Sequence, residues 1–143
     1  MVVGLGWVLC LVLSITAMTS SDTVTGLVDD VLTLPCSYTT ANSGYHMCWG
    51  RGGCPNSKCN DEILKTDGNR VTWRKSERYQ LLGDITQGDV SMTIAGATKE
   101  DQGVYCCRVE IPGPFNDLKK NVKVEIQEVD LPVDIPECPN DMY

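Results

Sequence analysis

The chain is short of histidine, phenylalanine and positive charge. One histidine, His46, and one phenylalanine, Phe115, occur in 143 residues. His46 has no evident nucleophile to serve, and no Gly-x-Ser-x-Gly run is present, so the expectation is that the protein is not an enzyme. Lys and Arg total 12 against 19 Asp and Glu, a net charge of −7. Such an acidic chain is not expected to bind nucleic acid, and any anionic ligand needs a local cation. Asn42 and Asn56 are each followed directly by Ser, the wrong offset for an N-glycosylation acceptor. Beyond the N-terminus no apolar run reaches the roughly 18 residues of a membrane span. No window has the 3.6-residue apolar spacing of a helical protein.

What the chain does contain is cysteine and short alternating apolar runs. Residues 1–20 carry no charge and are apolar around Trp7 to Val12, with small residues after them. They read as a secretory signal peptide, whose removal takes Cys10 with it. About 120 residues would remain, one domain over residues 21–127. Residues 128–143 hold five acids, three prolines and no base; they read as an acidic stalk or linker. Secretion makes disulfides the default for the seven remaining cysteines at 36, 48, 54, 59, 106, 107 and 138. Cys138, in the tail, is left over.

Candidate strands span 23–28, 31–37, 45–50, 62–65, 71–74, 79–82, 90–94, 104–110 and 118–126, separated by turn residues. In the second, Leu32, Leu34 and Cys36 share a face; in the last, Val122, Val124 and Ile126 alternate with Lys123 and Glu125. The run Asp101-Gln102-Gly103-Val104-Tyr105-Cys106-Cys107 places a Tyr two residues before a Cys, and Cys36 lies upstream with Trp49 thirteen residues after it. That order is the signature of an all-β immunoglobulin variable-type sandwich, and nine strands fit it. Arg78, at the start of one strand, and Asp101, before the Tyr, are expected to pair across one end of the sandwich, a structural role.

Neighbouring side chains in a strand face opposite ways. If Cys107 faces the core, Cys106 faces out, and a cysteine outside the core must meet it. The segment from Cys48 to Cys59 is rich in Gly, Pro and Asn and reads as a loop between the third and fourth strands. Its middle cysteine, Cys54, can reach Cys106, and Cys48, next to Trp49, can close the loop with Cys59. The expected bridges are Cys36–Cys107, Cys54–Cys106 and Cys48–Cys59. Two bridges on one loop suggest pre-organisation for binding; the plainer alternative is that they only stabilise. A zinc site on His46, Cys48, Cys54 and Cys59 is disfavoured, because no C-x-x-C pair occurs and secretion favours oxidation.

The loop Ile111-Pro112-Gly113-Pro114-Phe115-Asn116-Asp117 joins the last two strands. Asn116 and Asp117 offer side-chain oxygens, and Gly113 lets carbonyls approach closely. A weak, open site of this kind suits extracellular calcium and leaves coordination free for a phosphate oxygen. An ordinary turn is the competing reading of Asn-Asp, and Phe115 could equally be packed inward.

Together these loops resemble the T-cell immunoglobulin and mucin domain family. The resemblance rests on Leu34-Pro35-Cys36, Cys48-Trp49-Gly50-Arg51-Gly52-x-Cys54-Pro55-x-Ser57-x-Cys59, Gly88-Asp89-Val90-Ser91, Tyr105-Cys106-Cys107-Arg108 and Ile111-Pro112-Gly113-x-Phe115-Asn116-Asp117, and covers residues 22–127. It implies a receptor ectodomain that binds phosphatidylserine on apoptotic cells or enveloped particles through a calcium-dependent pocket between the two loops. By that resemblance Asn116 and Asp117 supply side-chain oxygens to the metal, and Ile111 and Gly113 supply carbonyls. Ser57 and Lys58 meet the head group, and Phe115 enters the lipid. Pro114 stands where strongly inserting members carry the Trp of a Trp-Phe pair, so shallower insertion is expected. The alternative is a protein-binding immune co-receptor module that uses its outer sheet on protein ligands of immune cells, without lipid. The resemblance implies an extracellular location, on the cell surface if an anchor is missing from this fragment and secreted otherwise.

Overall fold

The computed structural model describes residues 22–39 and 44–128. The expected signal peptide at 1–20, Cys138 and all of the acidic tail except Glu128 lie outside the described residues.

Nine strands form among the described residues: β1 (Thr23–Leu27), β2 (Leu32–Leu34), β3 (Met47–Arg51), β4 (Glu62–Thr66), β5 (Val71–Arg74), β6 (Tyr79–Gln80), β7 (Met92–Ile94), β8 (Gly103–Val109) and β9 (Leu118–Gln127). They make a six-stranded sheet in the order β1-β9-β8-β3-β4-β5 and a three-stranded sheet in the order β2-β7-β6. All pairs are antiparallel except β1 with β9. This is the predicted all-β sandwich.

The strands of the small sheet are shorter than their apolar runs. Pro35 follows β2 directly and has no N–H to give a ladder. Pairing returns beyond it only as the Ser37–Asp89 bridge, beside the Val90 N–H to Cys36 carbonyl bond of 3.0 Å. β7 begins at Met92, opposite Leu34, the last residue of β2, and β6 pairs only with Ile94 and Thr93 of β7.

The inward faces of both sheets bury Leu32, Leu34, Trp49, Leu64, Met92, Ile94, Tyr105, Val122 and Val124. The Cys36–Cys107 bridge crosses this core between the sheets, and Trp49 Nε1 donates to the Val90 carbonyl at 2.8 Å. Tyr105 donates its hydroxyl to the Asp101 carbonyl at 2.7 Å, the expected tyrosine corner. Its phenol sits in the core, and burial, the largest cause, pushes its pKa up to about 12. Arg78 pairs with the buried Asp101 carboxylate as predicted, and that hydrogen bond raises the Arg78 pKa. Asp101 Oδ2 also accepts from the Thr98 N–H.

β8 departs from strand alternation. Tyr105, Cys106, Cys107, Arg108 and Val109 are all buried. Tyr105, Cys107 and Val109 face the core. Cys106 and Arg108 face the other way, and they are covered because the β3–β4 loop folds back over that side.

Candidate functional site

The β3–β4 loop is held down by covalent and polar ties. Cys54–Cys106 and Cys48–Cys59 are both formed, completing the three bridges expected from the sequence. The Cys54 N–H donates to Asn121 Oδ1 at 2.9 Å, tying the loop to β9. The returning chain crosses β3 at Gly50, where a Cβ would lie 2.3 Å from the Asn60 carbonyl oxygen and 2.9 Å from Cys59 Cβ. A side chain at 50 would push the loop off the sheet.

Beneath the loop lies Arg108. Its side chain is only 4% exposed, and its guanidinium serves four acceptors. Nη1 donates to the carbonyls of Pro55 at 2.7 Å and Lys58 at 3.2 Å. Nη2 donates to the Asn56 carbonyl at 2.8 Å. Nε donates to Asp117 Oδ2 at 2.9 Å. The planar fork of a guanidinium matches this set, which the three donors of a lysine ammonium on a flexible stem would not. One residue thus orders the β3–β4 loop and fixes Asp117, the last residue of the β8–β9 loop. Sequence reasoning gave Arg108 no role. Alternation carried the signal: Arg108 lies two residues from the outward Cys106, so it faces the same covering loop.

The β8–β9 loop is a tight turn. Gly113 has φ 113° and Phe115 φ 59°; the second lies in the left-handed region that a bulky side chain seldom adopts. Asn116 folds back, and its Nδ2 donates to the Pro112 carbonyl at 2.8 Å. Such a turn aims the Phe115 ring outward, where it is 104% exposed. Of the two sequence readings of Phe115, the outward one holds. Pro114 beside it is exposed as well, and Ile111 is half-buried at the base.

A cavity of about 180 Å³ opens between the loops, walled by Asn56, Arg108, Phe115, Asp117 and Lys119. It brings Asp117 and Phe115 together, with Asn116, Gly113 and Ile111 in the adjoining turn. Ser57 and Lys58 are exposed on the β3–β4 loop. Lys58 lines a second cavity of about 260 Å³ over β3 and β4, with His46, Glu62, Lys65, Thr72 and Glu110. Asn56 is the β3–β4 loop residue in the wall of the first cavity, and Lys119 is its second cation; the sequence reading singled out neither.

The polar atoms here are oxygens and cationic nitrogens. The Asn116 amide nitrogen is engaged, which leaves its carbonyl oxygen as the side-chain donor atom; Asp117 gives one oxygen to Arg108 and keeps the other. Among the described residues no group of three or more His, Cys, Asp or Glu is placed to hold a metal ion. The zinc reading fails for a direct reason, since Cys48, Cys54 and Cys59 are all in disulfides.

Comparison with known proteins places this geometry. The Immunoglobulin V-set domain family matches residues 19–127. T-cell immunoglobulin and mucin domain-containing protein 4 of Mus musculus is 52% identical over 116 residues, which is 80% of this chain and 34% of that protein. Hepatitis A virus cellular receptor 1 of Homo sapiens is 50% identical over 95 residues, 66% of this chain and 26% of that protein. The chain therefore spans about a third of the length of the curated relatives it matches. Among solved structures, Tim-1 superposes with a TM-score of 0.75 at 46% identity, covering 81% of this chain and all of that one. The structure described as Tim-4 in complex with phosphatidylserine gives 0.72 at 53% identity, covering 75% and 99%. At these identities over a whole domain, the chain belongs to the immunoglobulin V-set family and, within it, to the T-cell immunoglobulin and mucin domain family.

Proposed function

We propose that this domain is the lipid-recognition module of a cell-surface immune receptor, and that it binds phosphatidylserine in the cavity between the β3–β4 and β8–β9 loops with calcium as the bridging ion. The observation that carries the reading is a fully exposed Phe115 beside an oxygen-bearing turn and a cavity with cationic walls. A relative at 53% identity was solved as Tim-4 in complex with phosphatidylserine. Phosphatidylserine exposed on apoptotic cells or enveloped particles is then the target.

The residues fit calcium. It takes oxygen ligands from carboxylates, amides, main chain and water, and the turn offers the second Asp117 oxygen, Asn116 Oδ1 and the Ile111 and Gly113 carbonyls. When bound, the ion would supply a positive centre for a phosphate or carboxylate oxygen of the head group. The chain's own residues do the rest. Arg108 keeps both walls in place, Lys119 and Asn56 face the head group, and Ser57 and Lys58 stand on the rim of the neighbouring loop. Phe115 meets the bilayer boundary, where aromatic rings partition well. Pro114 adds little apolar area, so insertion is shallow.

This reading sets the protein outside the cell. No helix among the described residues is long and apolar enough to cross a membrane, and residues 1–20 fit a secretory leader. Binding of the purified protein to phosphatidylserine and phosphatidylcholine liposomes, with calcium and with chelator, is the test. Binding to phosphatidylserine only with calcium, lost in Asp117→Ala, supports the proposal. Equal binding in chelator overturns it.

The protein-partner reading has its own observation. Trp73, on the edge strand β5, is 45% exposed on the outer sheet. If partner binding survives Asp117→Ala and is lost in Trp73→Ala, the sheet carries it.

A further inference from the structure

The three bridges do not stand alike toward solvent. Cys36 and Cys107 are buried between the sheets. Cys54–Cys106 joins a half-buried residue to a fully buried one. Cys54 Sγ lies 3.7 Å from the Lys120 carbonyl oxygen and 3.9 Å from the Cys107 carbonyl oxygen. Two partial negative charges there oppose an arriving thiolate and a departing one alike. Cys48–Cys59 is set differently. Cys59 is half-buried, and Cys48 forms part of the wall of the cavity of about 260 Å³ over β3 and β4. Lys65 is the direct cross-strand partner of Cys48, and His46 and Lys58 line the same wall. Glu62 and Glu110 line it too, and Glu62 Oε1 lies 3.6 Å from Lys65 Nζ. Both side chains of that pair are partly exposed, and so wet an ion pair leaves Lys65 able to turn toward a new anion.

Cys48–Cys59 is also the bridge the fold needs least. Its cysteines are 11 residues apart, against 71 and 52 for the other two, so opening it returns the least chain entropy to the unfolded state. With it open, other ties still hold the loop. They are Cys54–Cys106, the Arg108 bonds to the Pro55 and Asn56 carbonyls, and the Arg51 N–H to Asn60 carbonyl bond of 3.1 Å.

We propose that the Cys48–Cys59 bridge is a thiol-exchange site, opened in the folded protein by a dithiol reductant of the extracellular space. The attacking thiolate bonds to Cys59 Sγ, and the electron pair of the S–S bond leaves on Cys48 Sγ, at the cavity wall opposite Lys65. The reductant's second thiol then attacks its own sulfur in the mixed disulfide and releases Cys59. Two electrons pass to the protein, the dithiol becomes a disulfide, and its two protons end on Cys48 and Cys59. Lys65 speeds the first step by placing positive charge beside the leaving sulfur. The bridge thereby serves as a reversible covalent mark on the outer sheet. Closed, it pins β3 to the returning loop; open, it frees Lys58 and the cavity wall to shift. The exchange is independent of what binds between the β3–β4 and β8–β9 loops.

The test incubates the full chain with thioredoxin, its reductase and NADPH, and in a parallel arm with dithiothreitol. New thiols are blocked with N-ethylmaleimide over a time course, and the remaining cysteines are then reduced and given an isotopic label. Peptide mass spectrometry separates the two half-buried cysteines, because Lys58 puts Cys54 and Cys59 on different tryptic peptides. Cys59 is expected to be blocked about tenfold or more faster than Cys54 in both arms, while circular dichroism and a cooperative melt show the sandwich still folded. Lys65→Gln is expected to slow the blocking of Cys59 about threefold at an unchanged melting temperature, and Lys65→Arg to restore the rate. Equal rates at Cys54 and Cys59 overturn the proposal, as does an unchanged rate in Lys65→Gln. Loss of the folded signal in step with the blocking of Cys59 also overturns it, because the bridge is then a staple of the fold. So does a Cys59 that reacts only after the domain is melted.

Discussion

Arg108 and Asp117 form an ion pair of unequal burial: the arginine side chain is 4% exposed and the aspartate 29%, at 2.9 Å. The two ends of the pair therefore answer mutation differently. Arg108→Ala strands a carboxylate and three main-chain carbonyls, and is expected to cost about 3 kcal/mol or more. Asp117→Asn keeps an acceptor for Nε and is expected to cost about 1 kcal/mol or less. Urea denaturation of both variants reads the contrast. Liposome binding is expected to reverse its sense, because Asp117→Asn loses calcium-dependent binding with its fold intact.

Gly113 is the second pressure point. A Cβ there would lie 2.2 Å from Asn116 Nδ2, and its φ of 113° is one that side chains seldom adopt. Gly113→Ala is expected to expel the Asn116 side chain from its bond to Pro112. The local strain is about 1–3 kcal/mol, confined to a loop. Calcium-dependent binding should fall at least tenfold while the core stays folded, which liposome titration and thermal melting measure together.

Phe115 is fully exposed, so its removal uncovers no part of the core. Phe115→Ala is expected to change stability by less than about 0.5 kcal/mol and to leave phosphoserine affinity unchanged. Binding to phosphatidylserine bilayers should weaken about fivefold or more, since the ring's contribution is burial in the interface. Putting Trp at Pro114 should do the opposite. Liposome co-sedimentation beside phosphoserine calorimetry separates the two terms.

Tyr105 gives the fold an alkaline limit. Its folded pKa is raised to about 12, chiefly by burial, above the usual value near 10. A group with a raised folded pKa contributes stability that is complete below the unfolded value and is lost as pH climbs toward the folded one. Stability is thus expected to fall between about pH 10 and 12. Tyr105→Phe should be less stable at neutral pH by about 1–2 kcal/mol, having lost the bond to the Asp101 carbonyl, and its profile should be flatter over that window. Urea melts at fixed pH values test both parts.

The fold was legible because its signals are local and redundant. The Cys36, Trp49, Tyr105 and Cys107 spacing and period-two runs each specify the sandwich alone. The three bridges followed from alternation plus reach. Strand ends were less legible, because a strand stops where its partner does, and Pro35 truncates β7 from across the sheet. The candidate site was legible at Asn116, Asp117 and Phe115, where composition and turn chemistry coincide. It was not legible at Asn56, Arg108 and Lys119. Arg108 reads as an outward charge on a strand, and only the folded-back loop makes it a buried hub. Asn56 enters by loop shape and Lys119 by register opposite Arg108, neither of which has a motif of its own.

β9 leaves the β8–β9 loop at Leu118 and runs unbroken to Gln127. Ten residues of extended chain cover about 30 Å, so the chain exits the domain at the pole opposite Phe115. The strand works as a standoff. A membrane or scaffold holding the chain by its Gln127 end would find the aromatic tip pointing away from it, toward a facing surface. Orientation of this kind favours contact between two bodies over contact within one, and its source is the uninterrupted ladder of a single strand.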